Sequence, residues 1–235
     1  RNVRFFKLQN YIADLIPSSL YRKIITVWKA GLLTGLKTHG VNIFSNVAHL
    51  SLETTSKIPG TVVDMISSLF TKERKLTFTL RGLREGSLIG AGNGLEYIKS
   101  GYSEREIGVK LDIKKTNFGK TPLGRALRAY TETSFRTIGA EDQPFYYAAK
   151  VRSLYEQAQV SAINQKLKGK AAEAHIKNLF ENPTEQMIKN ATLDAETAVY
   201  INQTTLGDYA RAIQRLPGGE IIVPFGRTPS AVAMQ

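Results

Sequence analysis

The chain has 235 residues, 32 Lys+Arg against 20 Asp+Glu for a formal charge of +12, 42% hydrophobic residues and no cysteine. That composition supplies a core and excludes wholesale disorder, while the missing thiols exclude disulfides, thiolate metal sites and cysteine nucleophiles. The length suits one large domain or two small ones, and no window approaches the roughly 18 uncharged apolar residues that a membrane-spanning helix needs.

Residues 1–16 form a basic and aromatic lead-in without the apolar stretch of a signal peptide, and Pro17-Ser18-Ser19 predicts a helix start. Leu20, Ile24, Trp28, Leu32 and Leu36 then recur every four residues, with Ile25 and Leu33 beside them and Arg22, Lys23 and Lys29 off the stripe. This spacing predicts an amphipathic helix. Core packing is the commoner cause of such a stripe, and a cationic flank with a single Trp is also the pattern of a helix lying on a membrane surface. Helical spacing resumes at Val41, Phe44, Val47 or Ala48, and Leu52; Pro59-Gly60 is expected to close that segment, and a further short helix fits Val62, Val63, Ile66, Leu69 and Phe70.

Gly82, Gly86, Gly90 and Gly94 follow at strict four-residue spacing. A glycine inside a helix costs up to about 1 kcal/mol relative to alanine, so four in register require a compensating close approach. A tight helix–helix contact within the protein or its assembly ranks first, an insertable oligomerising helix second and a flexible loop third. Arg81, Arg84 and Glu85 at the start of the ridge oppose burial in lipid.

Residues 101–120 have weak periodicity and, counted with Lys99, the basic side chains Arg105, Lys110, Lys114, Lys115 and Lys120, and read as a loop or linker. Thr121-Pro122 predicts the start of a helix through Leu123, Leu127, Tyr130 and Ser134. A separate helix is expected after Pro144, with Tyr147, Val151, Leu154, Ala158 and Ala162 on one side, and further helices over 170–181 and 184–206, where Ala191, Ala195 and Ala198 mark a close-packed face. From Pro217-Gly-Gly219 the character changes: Ile221-Ile-Val223 favours extended backbone, and Pro224 and Pro229 prevent a regular helix.

The expected fold is all-α, a multi-helix elongated bundle with a Pro/Gly-rich extended C-terminal arm. Its expected divisions are a basic region over 1–120, a neutral helical domain over 121–216 and the arm over 217–235. Residues 1–130 hold 21 Lys+Arg and 9 Asp+Glu, which is the whole +12. Such asymmetry fits one half meeting an anionic surface, and equally a solubility bias on exposed helix faces. The candidate anionic-surface contacts are Arg22, Lys23, Lys29, Arg81, Arg84, Lys110, Lys114, Lys115 and Lys120. Arg1 in place of Met and the apolar run Ala231–Met234 at the end are what a piece of a longer protein would show.

Catalytic motifs fail on required residues. Gly119-Lys120-Thr121 resembles the end of a phosphate-binding loop, but its first glycine would fall at Lys114; Gly90-Ala-Gly92-Asn-Gly94 meets Leu95 where a dinucleotide fingerprint needs glycine. His39, His49 and His175 have no metal-ligand spacing, no Gly-x-Ser-x-Gly elbow occurs, and Glu104 and Glu106 flank Arg105 in the loop. The expectation is a non-catalytic chain without cofactor or metal.

Three segments resemble one family. Gly35-Leu-Lys37-Thr38-His-Gly-Val-Asn42-Ile-Phe-Ser-Asn46 is similar to a Gly-x-Lys-Thr-x-x-x-Asn-x-x-x-Asn helix of very large tailed-phage polyproteins and internal virion proteins. Ile138-Gly139-Ala140-Glu141-Asp142-Gln143-Pro144-Phe145 with the Tyr/Ala-rich residues after it resembles a later block. Pro224-Phe225-Gly-Arg227-Thr228-Pro229-Ser230 resembles their Pro-Phe-x-Arg-Thr-Pro-x-Asn segment, with Ala231 where asparagine is usual.

The resemblance, which covers most of residues 32–235, implies a non-catalytic helical region of a protein packaged in the virion and ejected into the host envelope to help DNA cross it. Its motif residues would be structural, with Thr38, Asn42 and Asn46 bonding across helices. The implied partners are further copies or other virion proteins, DNA and the host membrane surface. The competing expectations are a sequence-independent nucleic-acid-binding domain acting through loop 99–120, and an inert spacer in a phage polyprotein.

Overall fold

Side-chain hydroxyls start the helices where the sequence places them. Ser19 Oγ accepts the Arg22 amide at 3.3 Å, Thr121 Oγ1 the Gly124 amide at 3.1 Å and Thr184 Oγ1 the Met187 amide at 3.2 Å, each satisfying a donor that the first turn leaves unpaired. The computed structural model describes residues 15–101, 116–200 and 205–225, together with 8, 11 and 12. Among them are eight helices and no strand, an all-α fold. They are α1 (Leu20–Leu33), α2 (Leu36–Thr71), α3 (Leu83–Ser100), α4 (Pro122–Asn164), α5 (Gly169–Glu181), α6 (Glu185–Ala198), α7 (Thr205–Gln214) and α8 (Gly219–Ile222).

Four element boundaries differ from expectation. Pro59 does not close a segment, and Pro144 does not separate two helices: each lies inside a continuous helix. Proline deprives the carbonyl four residues earlier of its donor. For Pro59 that carbonyl belongs to Thr55, which is exposed, so water can serve it. For Pro144 it belongs to Ala140, and there the backbone of α3 comes so close that a Cβ on Gly94 would stand 2.8 Å from the Ala140 oxygen. The helix expected over 184–206 stops at Ala198, followed by Tyr200 at φ 54°, and Ile221 and Ile222 belong to the one-turn α8 behind Gly218 at φ 77°, not to extended backbone.

Tertiary contacts divide the chain into two units that cut across the sequence partition at 120 and 216. Unit 1 comprises Arg1–Phe44, Ala91–Asp142 and Tyr200–Gln235, and unit 2 comprises Ser45–Gly90 and Gln143–Val199. Helices α2, α3 and α4 each contribute residues to both, which is why no single sequence boundary separates them. Unit 1 contains 19 Lys+Arg and 10 Asp+Glu, so it holds +9 of the +12.

The core of unit 1 joins Ala30 and Leu33 of α1 to Phe135 and Ile138 of α4, with Phe225 packed against them. The core of unit 2 joins Val151, Tyr155, Ala158 and Ala162 of α4 to Ile176 and Met187, and the alanines 191, 195 and 198 of α6 are fully buried. Met187 is the one large apolar side chain that α6 buries beside these alanines.

Candidate assembly site

The apolar stripe of α1 faces outward. Leu20, Ile24, Trp28 and Leu32 are 74, 57, 36 and 42% exposed, and the side facing the core is Ile25, Thr26, Lys29, Ala30 and Leu33. Thr26 and Thr116 form a buried hydroxyl pair at 2.6 Å; Thr26 already donates to the Arg22 carbonyl at 2.9 Å, so Thr116 is the donor of the pair. Lys29, expected as a contact for an anionic surface, is buried and bound to Glu220 at 3.1 Å, because α8 supplies a carboxylate from the other end of the chain. Arg22 and Lys23 remain half-exposed beside the outward stripe, and α1 carries no acidic residue.

The same inversion holds on α2. Val41 and Phe44 in unit 1 are exposed, as are Val47, Leu52, Val62, Val63, Ile66, Leu69 and Phe70 in unit 2, whereas Asn46 and Thr54 are its buried residues. No helix of the described residues is long and apolar enough to cross a membrane.

Within unit 1, described residues of the three family-like blocks come together. Asn42 Nδ2 donates to Glu141 Oε2 and to Asp142 Oδ1, both at 3.2 Å, and His39 Nδ1 lies 2.5 Å from Glu141 Oε1, linking the first block to the second. Ile138 of the second block and Phe225 of the third share the apolar cluster with Ala30 and Leu33. Thr38, at the start of α2, donates to the Leu32 carbonyl of α1 at 3.1 Å, a bond between two helices that also caps the end of α1. Asn46 is fully buried in unit 2. Arg227, Thr228, Pro229 and Ser230 lie outside the described residues, as do Lys110, Lys114 and Lys115 of the basic loop.

The glycine ridge packs on α4. A Cβ on Gly86 would overlap the Tyr147 carbonyl oxygen and stand 2.8 Å from Ala148 Cα, and one on Gly90 would overlap the Gln143 oxygen and stand 2.7 Å from Pro144 Cα. Only three of the four glycines are helical. Gly82 precedes α3 at φ 87°, in the left-handed region that suits glycine, and leaves room for Val151 and Tyr155. Beside it, Arg81 lies 4.9 Å from the Tyr155 ring centre and bonds Glu173 at 2.9 Å, so its charge is partly spent within unit 2. Arg84 and Lys120 are exposed.

A charged node in unit 2 is absent from every sequence expectation. The fully buried Arg152 bonds Thr54 Oγ1 and, at 2.5 Å, Glu53 Oε1, with Glu156 Oε1 at 3.5 Å from its Nε. Lys57 Nζ reaches Glu53, Glu156 and Asp194 at 3.6, 2.9 and 3.5 Å. Burial pushes the Glu156 carboxyl above its ordinary value, against the pull of Lys57 and Arg152. The sequence signal is two pairs of opposite charges four residues apart, Glu53–Lys57 and Arg152–Glu156. Lys57, Glu156 and Asp194 also border an open groove of about 840 Å³, whose amides are engaged with one another: Asn190 donates to Gln157 at 3.1 Å, and Gln157 to the Met187 carbonyl at 3.2 Å.

Comparison with protein-family models, curated proteins and solved structures finds no match.

Proposed function

We propose that this chain is a non-catalytic, contact-forming helical segment of a tailed-phage internal virion protein, which assembles with further copies or other virion proteins and helps DNA cross the host envelope. The family assignment rests on the three sequence blocks. The observation that carries the contact-forming role is the outward direction of the apolar faces of α1 and α2. Both helices leave most of their large apolar side chains uncovered, with Thr26 and Lys29 beside Ile25, Ala30 and Leu33 on the buried side of α1 and Asn46 and Thr54 on that of α2, and such faces have surface left for a partner.

On α1 the outward face carries Trp28 and is flanked by Arg22 and Lys23, the composition of a helix that lies on an anionic bilayer surface. Trp28 is the only tryptophan in the chain, so its fluorescence reports this face alone. Anionic vesicles are expected to shift Trp28 emission to the blue, zwitterionic vesicles to do so weakly, and added salt to reverse part of the shift. Emission that stays unchanged with anionic vesicles at low salt refutes the surface role of α1.

A further inference from the structure

The last turns of α2 carry a second uncovered face whose chemistry differs from that of α1. Ile58, Val62, Met65 and Leu69 are 45, 48, 53 and 77% exposed and follow one another at spacings of four, three and four residues. Pro59, Val63, Ile66 and Phe70 repeat that spacing one residue later, with Val63 and Phe70 at 65 and 84%. Alternating steps of three and four are how a helix lines up a seam for another helix. The opposite side of the same turns is occupied: Asp64 accepts from Arg74 Nε at 2.9 Å and from the Lys75 and Leu76 amides at 3.1 Å.

Charge selects the partner. Between Ile58 and Thr71 Asp64 is the one charged residue, and its carboxylate is fully engaged, so this face has neither the cations that draw a helix to anionic lipid nor any charge that would repel an identical face. Its eight apolar side chains are all exposed, an uncovered face of the same order as the ~800 Å² that each partner buries in a standard interface.

We propose that a second copy of this chain packs on this face, helix against helix through the Ile58-Val62-Met65-Leu69 row. The proposal deepens the assembly reading above by naming its surface, and it does not depend on the lipid contact of α1.

The test uses the whole chain in lipid-free buffer. Sedimentation equilibrium from about 1 to 200 μM is expected to show reversible self-association of the wild type. The double variant Val62→Glu, Leu69→Glu is expected to weaken it at least tenfold with helix content and thermal midpoint unchanged, because both side chains are exposed in the single copy. The natural chain has no cysteine, so Leu69→Cys is expected to form a disulfide-linked dimer on mild oxidation, while Lys177→Cys, at an exposed position on α5, is not.

A chain that stays monomeric throughout, an unchanged association constant in the double variant, or equal cross-linking at the two cysteines overturns the proposal. So does association that appears only when zwitterionic vesicles are added, which assigns the face to lipid. Self-association without any Trp28 response to vesicles would instead support this interface and count against the α1 surface role alone.

Discussion

Substituting alanine along α3 should change sign within two residues. At Gly92 a Cβ would meet nothing within 4 Å, so the substitution acts on helix propensity alone and is expected to stabilise by about 0.5–1 kcal/mol. At Gly90 the same Cβ would land 2.6 Å from the Gln143 carbonyl carbon and 2.7 Å from Pro144 Cα, and at Gly86 it would land 2.7 Å from the Tyr147 carbonyl carbon. Carbon atoms rest about 3.5–4.0 Å apart, and the obstructing atoms are helix backbone, which cannot turn aside as a rotamer does. The two helices must separate by on the order of 1 Å, at a typical overpacking cost of about 1–3 kcal/mol.

After the propensity gain is subtracted, Gly86→Ala and Gly90→Ala should each destabilise by up to about 2 kcal/mol, and because that gain is common to all three variants the gap from Gly92→Ala is the overpacking cost itself, about 1–3 kcal/mol. Urea unfolding followed by far-ultraviolet circular dichroism reads this as a midpoint displaced downward for the first two variants and upward for the third, with similar slopes. If Gly90→Ala proves as stable as Gly92→Ala, the close approach on α4 is not what the ridge provides, and the packing argument fails.

Three further outcomes follow from the buried polar groups. Arg152→Ala leaves the Glu53 and Glu156 carboxylates with Lys57 as their shared cation and should cost about 3–5 kcal/mol in the same urea assay, with Arg152→Met costing less because it keeps most of the volume. Thr26→Val removes the buried hydroxyl pair with Thr116 and should cost about 1 kcal/mol, part of which Thr26→Val with Thr116→Val recovers; a double variant as unstable as the sum of the singles would refute the pairing.

Glu156 and Asp64 should give opposite pH dependences. Burial raises the folded-state pKa of Glu156 above its ordinary 4.5, so the folded state holds that proton longer and stability falls as pH rises from 4.5 through the raised value; Glu156→Gln should lack that slope. The Leu76 amide and Arg74 hold Asp64 below its ordinary 3.8, so its contribution is present above 3.8 and is lost as pH falls through the lowered value.

The all-α class, the helix starts at Ser19, Thr121 and Thr184 and the need for a close approach at the glycines were legible in the sequence, because each depends on residues within one or two turns, whereas Pro59 and Pro144 lie inside continuous helices where the sequence predicts breaks. Which side of a helix turns inward was not legible, since that depends on partners far along the chain. Lys29 is buried because Glu220 arrives from α8, and Arg152 because Glu53 and Thr54 arrive from α2. Periodicity alone ranks Leu20, Ile24, Trp28 and Leu32 above Thr26 and Lys29 for burial, and the fold reverses that ranking.

The reversal has a consistent physical reading. Backbone approach at Gly86 and Gly90, the buried alanines of α6 and paired polar groups such as Thr26–Thr116 and Arg152–Glu53 add to small apolar clusters and leave most of the large apolar side chains of α1 and α2, Ile25 and Leu33 apart, on the outside. Exposed apolar residues scattered singly would need no explanation, but rows of them at helical spacing leave surface that water disfavours and that a partner can cover. The basic flank of one row and the uncharged second row call for different partners, which is why the vesicle test and the cross-linking test are expected to respond to different substitutions.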